Sequence, residues 1–215
     1  MATSEDAAPT PESTDSPAGS RGRVRLRRTA LMAVPAVAVG AVLMTLTAQG
    51  VLAAQFAISG MPFTVTADSL EGVGFEQFGS LDHMIEGSPN EGDTGGQVLV
   101  IVSAIKQAEL TKLCQSVDLG GINLLIKAGD AGTPVTATDL TTDSDLVSGD
   151  ASFKNIEIGG DASTYTKAGV QGLPGVFGQQ ADTVTIRNLR QHNYATTAAA
   201  FKLPHLRLSF SSEGC

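Results

Sequence analysis

Few side chains in this 215-residue chain are of the kinds that do chemistry: two cysteines, three histidines and scattered serines and carboxylates. Gly79-Ser80-Leu81-Asp82-His83 gathers a nucleophile, a carboxylate and a base in one stretch. Serine hydrolysis uses those types, but it draws them from separate loops around a strained turn and an oxyanion hole. No Gly-x-Ser-x-Gly elbow occurs, so Ser80 and His83 are expected on a surface loop. His83, His192 and His205 lack the spacing of metal ligands and read as ordinary polar residues. Asp139, Asp143, Asp145 and Asp150 alternate carboxylates with other residues, as a calcium loop does. They lack its acidic twelfth position and helical flanks, so a solvated turn is expected. Gly72-x-Gly74 and Gly120-Gly121 lack the strand–loop–helix setting and the lysine of a phosphate loop. No catalytic, cofactor-binding or metal-ligating residue is assigned, and these absences argue against an enzyme.

Cys114 and Cys215 have a different use. In an exported chain an even cysteine count points to a disulfide. Bridging them closes a loop of about 100 residues, worth up to about 4–5 kcal/mol if the effect lies in unfolded-chain entropy. Two free thiols are the alternative, as is a Cys215 that links to another chain in a self-assembling surface protein.

The elements around these residues begin with a topology signal. Arg21, Arg23, Arg25, Arg27 and Arg28 lead into an apolar stretch over residues 30–54, and no charged residue follows until Asp68. About 20 apolar residues suffice to cross a bilayer core as a helix. Flanking arginines stay on the cytoplasmic side. Residues 1–28 are therefore expected as a disordered cytoplasmic tail, 29–54 as a transmembrane helix or signal segment, and 55–215 as an exported domain. The length of the apolar run favours a retained single-pass anchor. The alternative is secretion after cleavage near Ala53, where small residues flank a potential site. Arg27-Arg28-Thr29-Ala30-Leu31 is loosely like a twin-arginine signal, with Ala30 a poor match.

Beyond residue 54 come nine basic and eighteen acidic residues. That balance argues against a nucleic-acid partner. Residues 63–66 alternate apolar and polar, the period of a half-buried strand. Residues 98–102 read as a strand buried on both faces. Further strands are expected at 122–126, 153–158, 184–189 and 203–210, the last with one apolar and one mostly polar face. Turn-rich loops at 86–96, 127–134 and 169–178 separate them. The expected fold is an all-β sandwich, barrel or roll. A degenerate recurrence of Ala before a bulky residue leaves a β-solenoid as a lesser alternative. Residues 109–117 fit either a short helix or strand and turn. The segment Gly172-Leu173-Pro174-Gly175-Val176-Phe177-Gly178 is a turn on the core or an apolar contact surface for lipid or a protein.

Several stretches together carry a resemblance: Leu113-Cys114-Gln115-Ser116-Val117, Gly149-Asp150-Ala151-Ser152-Phe153-Lys154-Asn155-Ile156-Glu157-Ile158-Gly159, Phe177-Gly178-Gln179-Gln180-Ala181, Asn188-Leu189-Arg190-Gln191 and Lys202-Leu203-Pro204-His205-Leu206-Arg207-Leu208-Ser209. The chain resembles an uncharacterised family of actinobacterial single-pass membrane or exported proteins, many of them labelled "cholesterol esterase". The resemblance covers nearly everything after residue 30. It implies a membrane or envelope protein and brings no established catalytic residues. The function expected from the residues is a non-catalytic binding or structural role in the cell envelope, with the membrane, a lipid or an envelope protein as partner. The alternative that the label implies is a lipid or sterol ester hydrolase.

Overall fold

The structure, a computed structural model, describes residues 57–215. The five arginines, the apolar segment and the site near Ala53 lie outside the described residues. Those described form an all-β body of nine strands: β1 (Phe63–His83), β2 (Gln97–Thr111), β3 (Leu113–Asp118), β4 (Asn123–Ala128), β5 (Val135–Lys154), β6 (Glu157–Asp161), β7 (Phe177–Thr197), β8 (Ala200–Lys202) and β9 (Arg207–Ser211). Two short 3-10 turns are the only helical pieces among these residues, and neither is long or apolar enough to cross a membrane.

Four long strands make the body. β1 pairs with β2, β2 with β5, β5 with β7, and β7 again with β1. The sheet thus folds over on itself in a sandwich-like arrangement rather than a closed barrel. β3, β4 and β9 extend it from the start of β1, and β6 adds an edge beside β7. Every strand-to-strand ladder is antiparallel, which removes the solenoid: its coils stack strands in parallel.

The long strands bend, and bending resets their alternation. Val65, Leu70 and Phe75 line one interior although they are five residues apart, a spacing that unbroken alternation would send to opposite faces. Gly74, at φ 69°, falls between Leu70 and Phe75, and Asn188, at φ 53°, falls between the interior residues Ile186 and Gln191. A left-handed residue within a strand flips the face its successors present. Gly74 is also fixed by crowding, since a Cβ there would collide with the Lys167 carbonyl.

Several expectations change here. Gly79 to His83 is the end of β1, not a loop. Asp139, Asp143, Asp145 and Asp150 all lie within β5, not in a solvated turn, because ladders on both sides hold this weakly β-forming stretch extended. Residues 109–117 are strand, turn and strand, broken at Lys112 (φ 52°). Of the strand expected over 203–210 only the part from Arg207 on is strand, because a turn at His205 (φ 55°) precedes it, and its apolar side chains Leu208 and Phe210 are exposed. β2 is not buried on both faces near its start: Val100 and Val102 are buried, but Leu99 is 72% exposed.

Two apolar clusters form the core. The larger, including Leu70, Phe75, Ile105, Leu140 and Leu189, fills the space between the long strands. The smaller, Phe78, Val100, Val102, Ala162 and Tyr165, sits on the other face of β1 and β2, beneath the segment 162–176. Gly172 and Gly178 allow that cover: a Cβ on either would lie 2.6 Å from Ala162 or Tyr165 atoms. The Gly172–Gly178 stretch is thus partly a turn on the core.

Glu76 ties the cover down. It is fully buried, and its carboxylate accepts backbone N–H bonds from Ala168 (2.7 Å) and Val170 (3.2 Å). Those bonds offset the cost of taking the charge out of water. Glu76→Gln puts an amide NH2 against a backbone donor. It is expected to cost about 1–3 kcal/mol in denaturant unfolding of the oxidised protein. An unchanged midpoint would show that the carboxylate does not hold the segment.

Candidate functional site

The space between the long strands ends in a cavity of about 40 Å³. One end is apolar (Val65, Leu110, Leu113) and the other polar. At the polar end Gln77 donates to Ser103 (2.8 Å) and accepts from Gln179 (2.5 Å), and Ser144 donates to Asn193 (2.6 Å). Ligand sites for small organic molecules run to roughly 300–1,000 Å³. This cavity has room for about a water molecule and cannot enclose a sterol or a lipid chain.

The polar groups that reach solvent collect on the other side of β5 and β7. Two adjacent irregularities interrupt that ladder, between Asp143 and Ser144 and between Ser144 and Leu146. They leave Tyr194 on one strand and Asp145 on the other without a partner in register. Bulges of this kind re-aim side chains, and these two come close enough for the Asp145 charge to act on the Tyr194 hydroxyl. The same carboxylate holds His192 Nδ1 at 2.7 Å, and the His192 ring stands edge-on to Tyr194 with centroids 5.9 Å apart. Burial, then the nearby Asp145 carboxylate, hold the Tyr194 hydroxyl above its usual range.

Asp143 lies two residues from Asp145. Burial pushes its carboxyl up to about 7, and the negative charge of Asp82 adds to the shift. Asp82 is raised as well, by burial, with His83 opposing. One Asp82 oxygen, Oδ2, is buried without a hydrogen-bond partner. Asp143, pushed up by its burial and by the charge of Asp82, is thus a carboxyl that can exchange a proton near neutral pH.

The structure brings some candidate residues together and separates others. Ser80 and His83 are three apart on one strand, so their side chains point to opposite faces and form no dyad. His205 sits against Asp130, which also holds Arg207 at 3.2 Å, and so belongs to a surface ion cluster. Asp139 pairs with Lys106 at 2.9 Å. Asp150 accepts from Asn188. Among the described residues, no group of three or more His, Cys, Asp or Glu could hold a metal ion. His192, read as an ordinary polar residue, has a carboxylate orienting one ring nitrogen as a catalytic base would. Among the described residues, no hydroxyl hydrogen-bonds to that ring. Ser116, across β1 from it, accepts the Cys215 N–H instead (3.0 Å). The sequence signal for the cluster is the i, i+2 pairs Asp143/Asp145 and His192/Tyr194, each on one strand face; what hid it was reading the aspartates as a turn.

Cys114 and Cys215 are joined, with Cα atoms 6.0 Å apart. No cysteine is left for a link between chains, so the disulfide-linked assembly through Cys215 falls.

Residues 59–215 match the model of a family described as a family of unknown function (DUF6230). No curated protein matches the chain, and no solved structure does.

The shifted carboxyl gives a signed prediction. Below about pH 4 Asp143 is protonated folded or unfolded. As pH rises towards 7 the unfolded carboxyl ionises first, so stability falls; above 7 the cost is constant. Asp143→Asn is therefore expected to raise stability at pH 8, by about 1–2 kcal/mol after allowing for solvent screening of this half-buried group. The gain should vanish near pH 4. Melting curves at the two pH values check it; equal effects at both would show that Asp143 titrates normally.

Proposed function

The chain belongs to the family of unknown function DUF6230, and from that membership and its architecture we propose that it is a membrane-tethered module of the cell envelope that works by binding rather than catalysis. The observation that carries the reading is the Cys114–Cys215 bridge, since disulfides persist in oxidising compartments outside the cytosol. The sequence supports the same side of the membrane: a run of arginines, an apolar stretch long enough to span, then an acidic domain. The small interior cavity favours contact through the surface over uptake of a lipid. The separation of Ser80 from His83, and the lack among the described residues of a hydroxyl bonded to His192, favour this reading over an ester hydrolase.

The test is surface labelling of intact cells with a membrane-impermeant amine reagent, followed by fractionation and intact-mass analysis. Lys106 and Lys112 are more than half exposed and should react from outside. The protein should stay with the membrane at full length. A mass beginning after Ala53, in the medium, would replace the anchor by secretion. Lysines that react only after lysis would overturn the outward placement. Turnover of a short-chain or sterol ester, abolished by changing one serine, would overturn the non-catalytic role.

A further inference from the structure

Near its start β2 carries Val98-Leu99-Val100-Ile101-Val102, a run whose composition suits a strand covered on both faces. One face is covered, by the segment 162–176 over Val100 and Val102. The other is bare. Pairing places Leu81 opposite Leu99, Gly79 opposite Ile101, and Gln77 opposite Gln179, with Ile158 next along that row. Phe177, two residues before Gln179, shares its face. Leu81, Leu99, Ile101, Ile158 and Phe177 thus present one apolar surface across β6, β7, β1 and β2, with exposures from 36% to 72%. A Cβ on Gly79, in the middle of it, would meet nothing. Five large apolar side chains bared on one sheet face mark a contact surface, not scatter.

Where the chain enters says what covers it. Ile58 N–H donates to the His83 carbonyl (3.0 Å), two residues beyond Leu81 on β1. The apolar stretch ends at Ala54. Four extended residues span at most about 14 Å. Whatever holds residues 30–54 is therefore within about that distance of this end of the sheet.

We propose that this face docks on the lipid surface of the membrane that holds the apolar stretch, with Leu81, Leu99 and Phe177 entering the headgroup boundary. The proposal rests on the tethered reading above. The neighbouring loop carries Glu86, Glu91 and Asp93, so the contact is apolar and favours neutral over anionic lipid.

The chain has no tryptophan, so one introduced indole is a sole reporter. The full chain, as Leu99→Trp and separately as Glu109→Trp ten residues along the same strand, is reconstituted into phosphatidylcholine vesicles with a brominated share. A second set contains phosphatidylglycerol. Flotation of the vesicles reads the tether, and quenching reads docking. Docking gives severalfold stronger quenching for Leu99→Trp than for Glu109→Trp, reduced by phosphatidylglycerol. Floating protein with both indoles equally unquenched overturns the docking and leaves the tether standing. Leu99→Trp emission shifted to the blue without quenching, with self-association in sedimentation, assigns the face to a second copy and overturns it too. Protein that fails to float overturns tether and docking together.

Discussion

The Cys114–Cys215 bridge is the constraint on which the rest of the molecule leans. β3, β4 and β9 join the body through a short ladder, Thr64 to Thr66 of β1 against Cys114 to Ser116 of β3. Three residue pairs are a thin attachment for a three-strand extension. The bridge locks that extension by tying β3, beside the ladder, to the chain end beyond β9, and it closes a loop of 101 residues that runs through β4 to β9. In the chain-entropy view such a loop contributes about 4–5 kcal/mol, comparable to the whole net stability of many domains. The chain end is then held twice more, by Arg190 to its carbonyl (2.9 Å) and by Ser116 to its N–H.

The long strands set a second constraint. Strands of 15 to 21 residues cannot stay flat, so they bend, and each bend or bulge changes what faces the interior. Inside, this packs aliphatic residues at one end and a hydrogen-bonded amide and hydroxyl network at the other, around a cavity of about 40 Å³. Outside, it turns Asp145 and Tyr194 towards each other and gathers His192 beside them. Where the strands run past the packed interior, the same inward-facing register emerges into solvent as Leu81, Leu99 and Ile101. The filled interior, the polar cluster and the bare apolar end are three outcomes of one bent sheet.

Much of the fold was legible in the residues. Alternation and β-branching placed β4, the middle of β7 and the start of β1, and the Gly-, Pro- and Asn-rich stretches fell in or beside loops. What misled was local propensity overridden by pairing. Asp139 to Asp150 looks like a turn, yet neighbouring strands hold it extended. Residues 79–83 looked like a surface loop for the same reason. The run 98–102 looked doubly buried, because composition reports that a face is to be covered but not by what. The cysteine pairing followed from count and compartment, whereas the Asp145–His192–Tyr194 cluster needed the bulges, which have no signature of their own in one sequence.

The bridge ties the structure to the compartment proposed for it, so its state in the living cell is the sharpest test of the account. Intact cells are quenched with acid, and the protein is unfolded without reductant and treated with a thiol-reactive polymer that slows migration. The account predicts no shift before reduction and a shift for two thiols after it. Two thiols reactive at once, in cells harvested with their redox state trapped, would place Cys114 and Cys215 in a reducing compartment and contradict it.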